Sequence, residues 1–389
     1  MNYDNIISKV ALEMKPSGIR KFFDLLDDME GVISLGVGQP DFMTPWHIRK
    51  AGIESLQDGK TFYTSNAGLL EMRCQLSEYL KRRFNLTYEP KGEIVVTVGG
   101  SEAIDITMRA LVNPGDEVLI PEPSFVCYNP IAKMCGGVPV TLPTYEKDEF
   151  KLTPEVLESA ITSKSKLLVL PFPNNPTGAI MTKEDLEKIA EVVLKHNLMV
   201  LSDEIYAELT YGGKHVSIAS IPGMWERTVL VNGFSKAYAM TGWRLGFACG
   251  PKPIISQMTK IHQYAIMCAP TTAQYAAIQA LKEGDADIEY MANEYDKRRK
   301  LVLSELRRIG IHCFEPRGAF YFFPSIKKFG MSSEEFCERL LREEKVAAVP
   351  GNAFGDYGEG HIRISYAYST KNLLEAMKRI EKFIKKIQA

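Results

Sequence analysis

Short runs of continuously apolar residues recur through the middle of this chain, separated by amphipathic stretches. They are Glu93-Ile-Val-Val-Thr-Val98, Glu117-Val-Leu-Ile120, Lys166-Leu-Leu-Val-Leu170, Leu198-Met-Val-Leu201, Thr228-Val-Leu-Val231 and Leu245-Gly-Phe-Ala-Cys249. A strand with one wet face alternates apolar and polar residues. These runs do not alternate, so both faces of each strand are covered. The intervening segments read as helices. Ser101–Leu111 is one, following the break at Gly99 and Gly100. In another, Thr182 can cap a helix carrying Leu186, Ile189, Ala190 and Val193 at helical spacing. The pattern predicts an α/β fold over residues 46–280, a mostly parallel sheet with helices on both faces, with Pro121 and Pro123 ending the second strand.

The segment 281–389 reads differently. A long charged helix covers Glu289 to Arg308. Ala319-Phe-Tyr-Phe-Phe323, a helix near 333–343, Val346-Ala-Ala-Val349 and His361-Ile-Arg-Ile-Ser-Tyr366 follow. The last helix carries Leu373, Met377, Ile380 and Ile384 on one stripe. This is a smaller α+β domain, and a chain of 389 residues exceeds a usual single core. Residues 1–45 read as an arm packing with the small domain. Ser17–Phe23 can start a short helix there, and Val32–Leu35 is a strand running into Gly36-Val-Gly-Gln-Pro-Asp-Phe42.

Composition excludes several classes. A formal net charge of -1 argues against nucleic acid or an anionic membrane as partner, and no apolar run is long enough to span a bilayer. No basic segment followed by an apolar core opens the chain, so no secretory leader is expected. Seven scattered cysteines without Cys-x-x-Cys spacing predict neither a disulfide framework nor a zinc site, and fit a reducing cytoplasm. The six histidines are equally dispersed, so no metal is expected. Gly36-Val-Gly38 lacks the third glycine of a dinucleotide fingerprint, which disfavours a nicotinamide dehydrogenase.

Five polar clusters remain, most of them at strand ends. Gly99-Gly-Ser-Glu102 is a strand-to-helix turn whose free N–H groups can hold an anion, although such a turn also serves as a plain cap. Pro173-Asn-Asn-Pro-Thr-Gly178 follows an apolar strand and is either a rigid turn or a ligand loop. In Ser202-Asp-Glu-Ile-Tyr206, a carboxylate can keep a heteroaromatic nitrogen protonated and a phenol can bond a ring oxygen. Asp203 can equally cap a helix. Lys236 in Asn232-Gly-Phe-Ser-Lys-Ala-Tyr238 can condense with an aldehyde if burial lowers its pKa. Arg244 can fork onto a phosphate and Arg363 onto a carboxylate; each can also be an ordinary ion pair.

Taken together, Pro-Asn-Asn-Pro-Thr-Gly, Ser-Asp-Glu-Ile-Tyr, Ser-Lys-x5-Gly-Trp-Arg-Leu-Gly and Arg-Ile-Ser-Tyr resemble the class I aminotransferases, in the same order and at similar spacing. Those are pyridoxal-phosphate enzymes of fold type I. The likeness runs from Ser17-Gly-Ile-Arg-Lys to the last helix. Pro121–Phe125 and Asn232–Gly246 look most like aromatic-amino-acid aminotransferases of bacteria and archaea. The resemblance implies a seven-stranded-type sheet and a homodimer. It implies that Lys236 carries pyridoxal 5'-phosphate covalently, that Asp203 pairs with the pyridine nitrogen, and that Tyr206 and Asn175 hold the ring oxygen. Phe125 is implied to stack on the ring. Gly100, Ser101, Glu102 (through backbone or hydroxyl groups), Ser235 and Arg244 are implied to hold the phosphate, with Tyr63 reaching the partner subunit's phosphate. Arg363, Asn175 and the Gly38 backbone are implied to bind the substrate α-carboxylate.

Two departures from the family pattern stand out. Gly233 occupies a position where many relatives have serine. Ser101 stands where the aspartate-preferring bacterial subgroup often has lysine. The expected activity is transfer of an amino group from an L-amino acid, aromatic or possibly aspartate, to a 2-oxo acid such as 2-oxoglutarate. A carbon–sulfur β-lyase and an aminotransferase of an acylated diaminopimelate intermediate are the alternatives. A DNA-binding regulator is disfavoured, because no basic helix-turn-helix fits before Val32.

Overall fold

The computed structural model describes residues 1, 3–14, 16, 18 and 29–388. Its centre is a seven-stranded sheet built from β2 (Ile94–Thr97), β3 (Glu117–Glu122), β4 (Val138–Pro143), β5 (Ser165–Leu170), β6 (Met199–Asp203), β7 (Thr228–Gly233) and β8 (Gly246–Cys249). The spatial order is β2-β8-β7-β6-β5-β3-β4. Only β8 runs against its neighbours; β7, β6, β5, β3 and β4 are mutually parallel. The apolar runs are buried from end to end in β2 and β7. One core cluster covers a face of the sheet with Ile104, Met108, Val118, Val169 and Val231, and another covers the opposite face with Leu119, Leu168, Ile189 and Val200. That two-sided burial is why these strands lack alternation.

The helices form where the pattern places them. Lys183–Lys195 begins with a reciprocal cap: Thr182 Oγ1 accepts from Asp185 N–H, and the Asp185 carboxylate accepts from Thr182 N–H. Such a cap is worth about 1 kcal/mol, and Leu186, Ile189, Ala190 and Val193 are all buried.

Two expectations need correction here. β3 does not end at Pro121 but runs through it to Glu122. The ladder between β3 and β5 stops at Leu119, so Pro121 pairs on one side only, with Leu142 of β4. A residue without an N–H is tolerated in that position. Gly99 and Gly100 do not separate strand from helix; they are the first turn of the helix Gly99–Leu111.

The carboxyl-terminal third holds β9 (Tyr321–Phe322), β10 (Val346–Ala347), β11 (Val349–Pro350) and β12 (Ile362–Ser365). β11, β12 and β9 form an antiparallel sheet, while β10 pairs in parallel with β1 (Ile33–Ser34). Helices Asp285–Ile309, Ser333–Glu344 and Thr370–Gln388 pack over it, burying Leu303, Phe336, Leu373, Met377, Ile380 and Ile384 in one cluster. That cluster also takes in Tyr206, Leu209 and Tyr211, which follow β6, so the two sheets share apolar contacts behind the site. Most of the expected helix at Ser17–Phe23 lies outside the described residues.

Candidate active site

The carboxyl ends of β5, β6 and β7 converge on one cavity of about 700 Å³, which Gly36–Gln39, Tyr321 and Arg363 close from the other side. Open α/β sheets hold ligands at this edge because side chains and helix N-termini from neighbouring strands meet there. Of the residues singled out in the sequence, Gly38, Gly100, Ser101, Phe125, Asn175, Asp203, Tyr206, Ser235, Lys236, Arg244 and Arg363 all line it. Glu102 and Tyr63 do not.

Lys236 stands on a single helical turn, Phe234–Ala237, directly after β7. Its Nζ donates to the Gly38 carbonyl oxygen at 2.6 Å. Burial, and then the positive charges of Arg363 and Arg244, pull its pKa from 10.5 down to about 8. An amine so placed is a far better nucleophile at neutral pH than a surface lysine.

Asp203 is the last residue of β6 and is buried. Tyr128 Oη donates to its Oδ2 at 2.7 Å, and the Ile205 N–H donates to Oδ1 at 3.2 Å. Burial pushes this carboxyl up to about 6, against the opposing effect of those two bonds. The sequence reading missed Tyr128; its distance from Asp203 along the chain left no local signal.

At the other end of the cavity, Arg363 is buried between Tyr321 and Phe354. Its guanidinium carbon lies 4.5 and 4.8 Å from their ring centroids. Nη1 donates to Asn175 Oδ1 at 2.8 Å and Nη2 to the Gly36 carbonyl at 2.5 Å, while Nε has no partner among the described residues. Tyr206 Oη is 2.8 Å from Tyr321 Oη. Tyr321 is a second site residue missed in the sequence.

The third region is open. Ser101 and Arg244 are solvent-exposed, and Gly100 is half-buried. Arg244 is held at φ 53, and a Cβ on Gly99 would lie 2.7 Å from its Nη2. The missing side chain at Gly99 therefore lets the guanidinium sit at the helix N-terminus, where unpaired N–H groups and the positive end of the dipole already favour an anion. Glu102, whose backbone is implied in the phosphate site, lies in the first turn of the same helix, and its side chain has a task of its own. Its carboxylate accepts from Val98 N–H and meets His262 Nδ1 at 2.6 Å, so it caps the helix away from the cavity. Tyr63 is 82% exposed at the surface. At Gly233, a Cβ would come within 3.1 Å of Gly246 Cα and of the Leu245 carbonyl, so any side chain there is crowded by β8.

These residues fit pyridoxal phosphate. A cationic, N–H-rich end suits a phosphate, a buried carboxylate faces the middle, and a buried arginine with an unpartnered Nε suits a carboxylate.

Comparison with known proteins gives the same answer. Residues 30–380 match the family model for aminotransferase class I and II. An aromatic-amino-acid aminotransferase of Thermococcus litoralis is 47% identical over 378 residues, covering 96% of this chain and 97% of its own length. An aspartate aminotransferase of Pyrococcus abyssi is 48% identical over 375 residues, 96% of each chain. The crystal structure of an aromatic aminotransferase from Pyrococcus horikoshii superposes with a TM-score of 0.90 at 47% identity, covering 95% of this chain and 99% of that one. The chain belongs to the class I and II aminotransferases and is a pyridoxal-phosphate-dependent aminotransferase acting on amino and 2-oxo acids.

Proposed function

We propose that the preferred donor is an aromatic L-amino acid and that 2-oxoglutarate or a similar 2-oxo acid is the acceptor. The observation carrying this is the charge inventory of the cavity. Among the described residues its lining holds three cations, Lys236, Arg244 and Arg363, and each has a task other than a side-chain carboxylate. Ser101 stands where a lysine would add a fourth. The remaining wall includes Val37, Ile104 and Phe125, which suit an apolar side chain. Two of the relatives compared carry aromatic amino acids in their names, and a third carries aspartate.

The assignment of roles is as follows. Arg244, Ser101, Ser235 and the Gly100 N–H hold the phosphate, and Phe125 lies against the ring. Asp203 keeps a proton on the pyridine nitrogen, which its burial beside Tyr128 equips it to do. Tyr206 and Asn175 hold the ring oxygen. Arg363, with Asn175 and the Gly38 backbone, orients the α-carboxylate. The bound cofactor supplies an electron-accepting ring next to the amino acid's α-carbon. Lys236 Nζ takes the proton from that α-carbon as general base. The Glu102 N–H joins the phosphate site, while its carboxylate caps the helix.

A homodimer is part of this proposal. Phe62 and Tyr63 are 81% and 82% exposed, and Tyr264, Ile266 and Met267 are also exposed. Thr271 Oγ1 bonds the Phe62 carbonyl and Asn66 Nδ2 bonds that of Met267, joining them into one apolar patch. A second copy seated there would cover it, and Tyr63 would then reach the open phosphate end of the partner's cavity. We also propose the division into arm (1–45), large domain (46–280) and small domain (281–389). Pairing of β1 with β10 supports it, as does the approach of Gly18 to Ala353. A cytoplasmic setting accords with the scattered cysteines.

The test is a panel of donors with 2-oxoglutarate. Phenylalanine and tyrosine should exceed aspartate in kcat/KM, and cystathionine should release little pyruvate. Aspartate in the lead would overturn the donor assignment. Lys236→Ala should lose nearly all turnover with every donor; near-wild-type rates would overturn the role of the lysine.

A further inference from the structure

Two of the three buried phenols that line the cavity belong to different sheets. Tyr206 follows β6 of the large sheet, and Tyr321 opens β9 of the small one. Their hydroxyls are 2.8 Å apart, across 115 residues of sequence. The same Tyr321 ring lies 4.5 Å below the Arg363 guanidinium. Arg363 stands on β12, two residues before Ser365, whose register partner on β9 is Tyr321. Residues two apart share a strand face, so the β9–β12 pairing itself sets the arginine over the ring. Gly38 closes the arrangement: a Cβ there would fall 2.6 Å from Tyr321 Oη.

We propose that Tyr321 is a positioning residue that joins the two halves of the site, its hydroxyl aiming the Tyr206 phenol and its ring holding Arg363. The proposal rests on the roles given above to Tyr206 and Arg363.

At 2.8 Å either hydroxyl can donate to the other. Each phenol has one proton to give, and the role proposed for Tyr206 spends its proton on the ring oxygen, so the Tyr321 O–H points to the Tyr206 oxygen. That leaves the Tyr206 proton free to be donated into the cavity, towards an anionic ring oxygen. In the opposite arrangement Tyr206 could offer the cavity only lone pairs. A hydroxyl that accepts one bond also donates the next more strongly. The ring acts separately: a cation over an aromatic face is attracted by the ring quadrupole, which helps hold a buried guanidinium whose Nε lacks a partner among the described residues.

The experiment uses the enzyme reconstituted with pyridoxal phosphate and reads two quantities. One is the pH midpoint of the visible absorption band, which rises when the hydrogen bond to the ring oxygen weakens. The other is KM for phenylalanine. Tyr206→Phe should move the midpoint up by roughly one to two units, the worth of a hydrogen bond to a charged group. Tyr321→Phe should move it in the same direction by a smaller amount, with KM within about twofold because the ring is kept. Tyr321→Leu should give the same spectral shift and raise KM about tenfold, since the ring is lost. An unmoved midpoint in Tyr206→Phe overturns the role of Tyr206 itself. A shift there with none in Tyr321→Phe overturns the hydroxyl link alone. An unchanged KM in a folded Tyr321→Leu overturns the ring link. If that variant does not fold, Tyr321→Met takes its place, and Tyr321→Phe still decides the hydroxyl link.

Discussion

Lys236 Nζ donates to the Gly38 carbonyl oxygen at 2.6 Å, joining two residues 198 positions apart. The contact brings the reactive amine from the end of β7 against the loop that also supplies Gly36 to Arg363. The amine and the carboxylate-binding arginine are thus held by one short backbone segment, and Arg363 in turn depresses the lysine's pKa.

The rate at which cofactor-free protein combines with pyridoxal phosphate should rise with pH, with a midpoint near 8, because only the neutral amine reacts. Arg363→Gln removes one of the two positive charges that disfavour the ammonium form. Its midpoint should therefore shift upward, and stopped-flow absorbance across pH 6 to 10 would measure it. A downward shift would contradict the electrostatic account.

Asp203 is held at about 6 against an ordinary value of 3.8, so the folded cofactor-free protein binds its proton more tightly than the unfolded chain does. Stability then falls as pH rises from about 4 to 6, and the cost of the buried charge is fully present above 6. Asp203→Asn keeps one of the two acceptor oxygens and removes that charge. It should stabilise the cofactor-free protein at pH 7.5 by about 3 kcal/mol at most, since one pKa unit corresponds to about 1.4 kcal/mol, and by little below pH 4. The same variant should lose activity. Urea denaturation at the two pH values checks the first part.

Arg363→Lys should raise KM for the amino acid tenfold or more, roughly 1.4 kcal/mol, while changing the cofactor band little. An ammonium cannot bridge Asn175, Gly36 and a carboxylate in the fork geometry seen here. Steady-state kinetics alongside the spectrum separates the two effects.

Gly246 abuts the start of the phosphate-side helix: a Cβ on it would lie 2.5 Å from the Gly99 carbonyl carbon and 2.6 Å from Gly100 N. Gly246→Ala must displace that turn, because backbone cannot rotate aside. Overpacking of this kind costs about 1–3 kcal/mol. The variant should also bind pyridoxal phosphate more weakly, which equilibrium dialysis would register. Wild-type affinity would mean that the turn tolerates the shift.

Local sequence determined the architecture and the end of the sheet at which the site forms. Apolar runs of four to six residues without alternation, bounded by turn residues, fit strands covered on both faces, and their direction places Asn175, Asp203 and Lys236 together at one edge. The motifs also carried the family likeness, because each is a contiguous stretch with its own turn chemistry. Hydrogen-bond partners were a different matter. Nothing near Asp203 in the chain points to Tyr128, and nothing near Tyr206 points to Tyr321. Asn175 and Arg363 meet across 188 residues. Glu102 turned to His262 and Val98 rather than into the cavity. The fold of Pro121 within β3 was likewise settled by where its neighbour strand stops. Local signals act over a few residues, whereas the choice of partner for a buried polar group depends on which side chains the packed sheets and helices bring within 3 Å or so. Only the tertiary structure decides that.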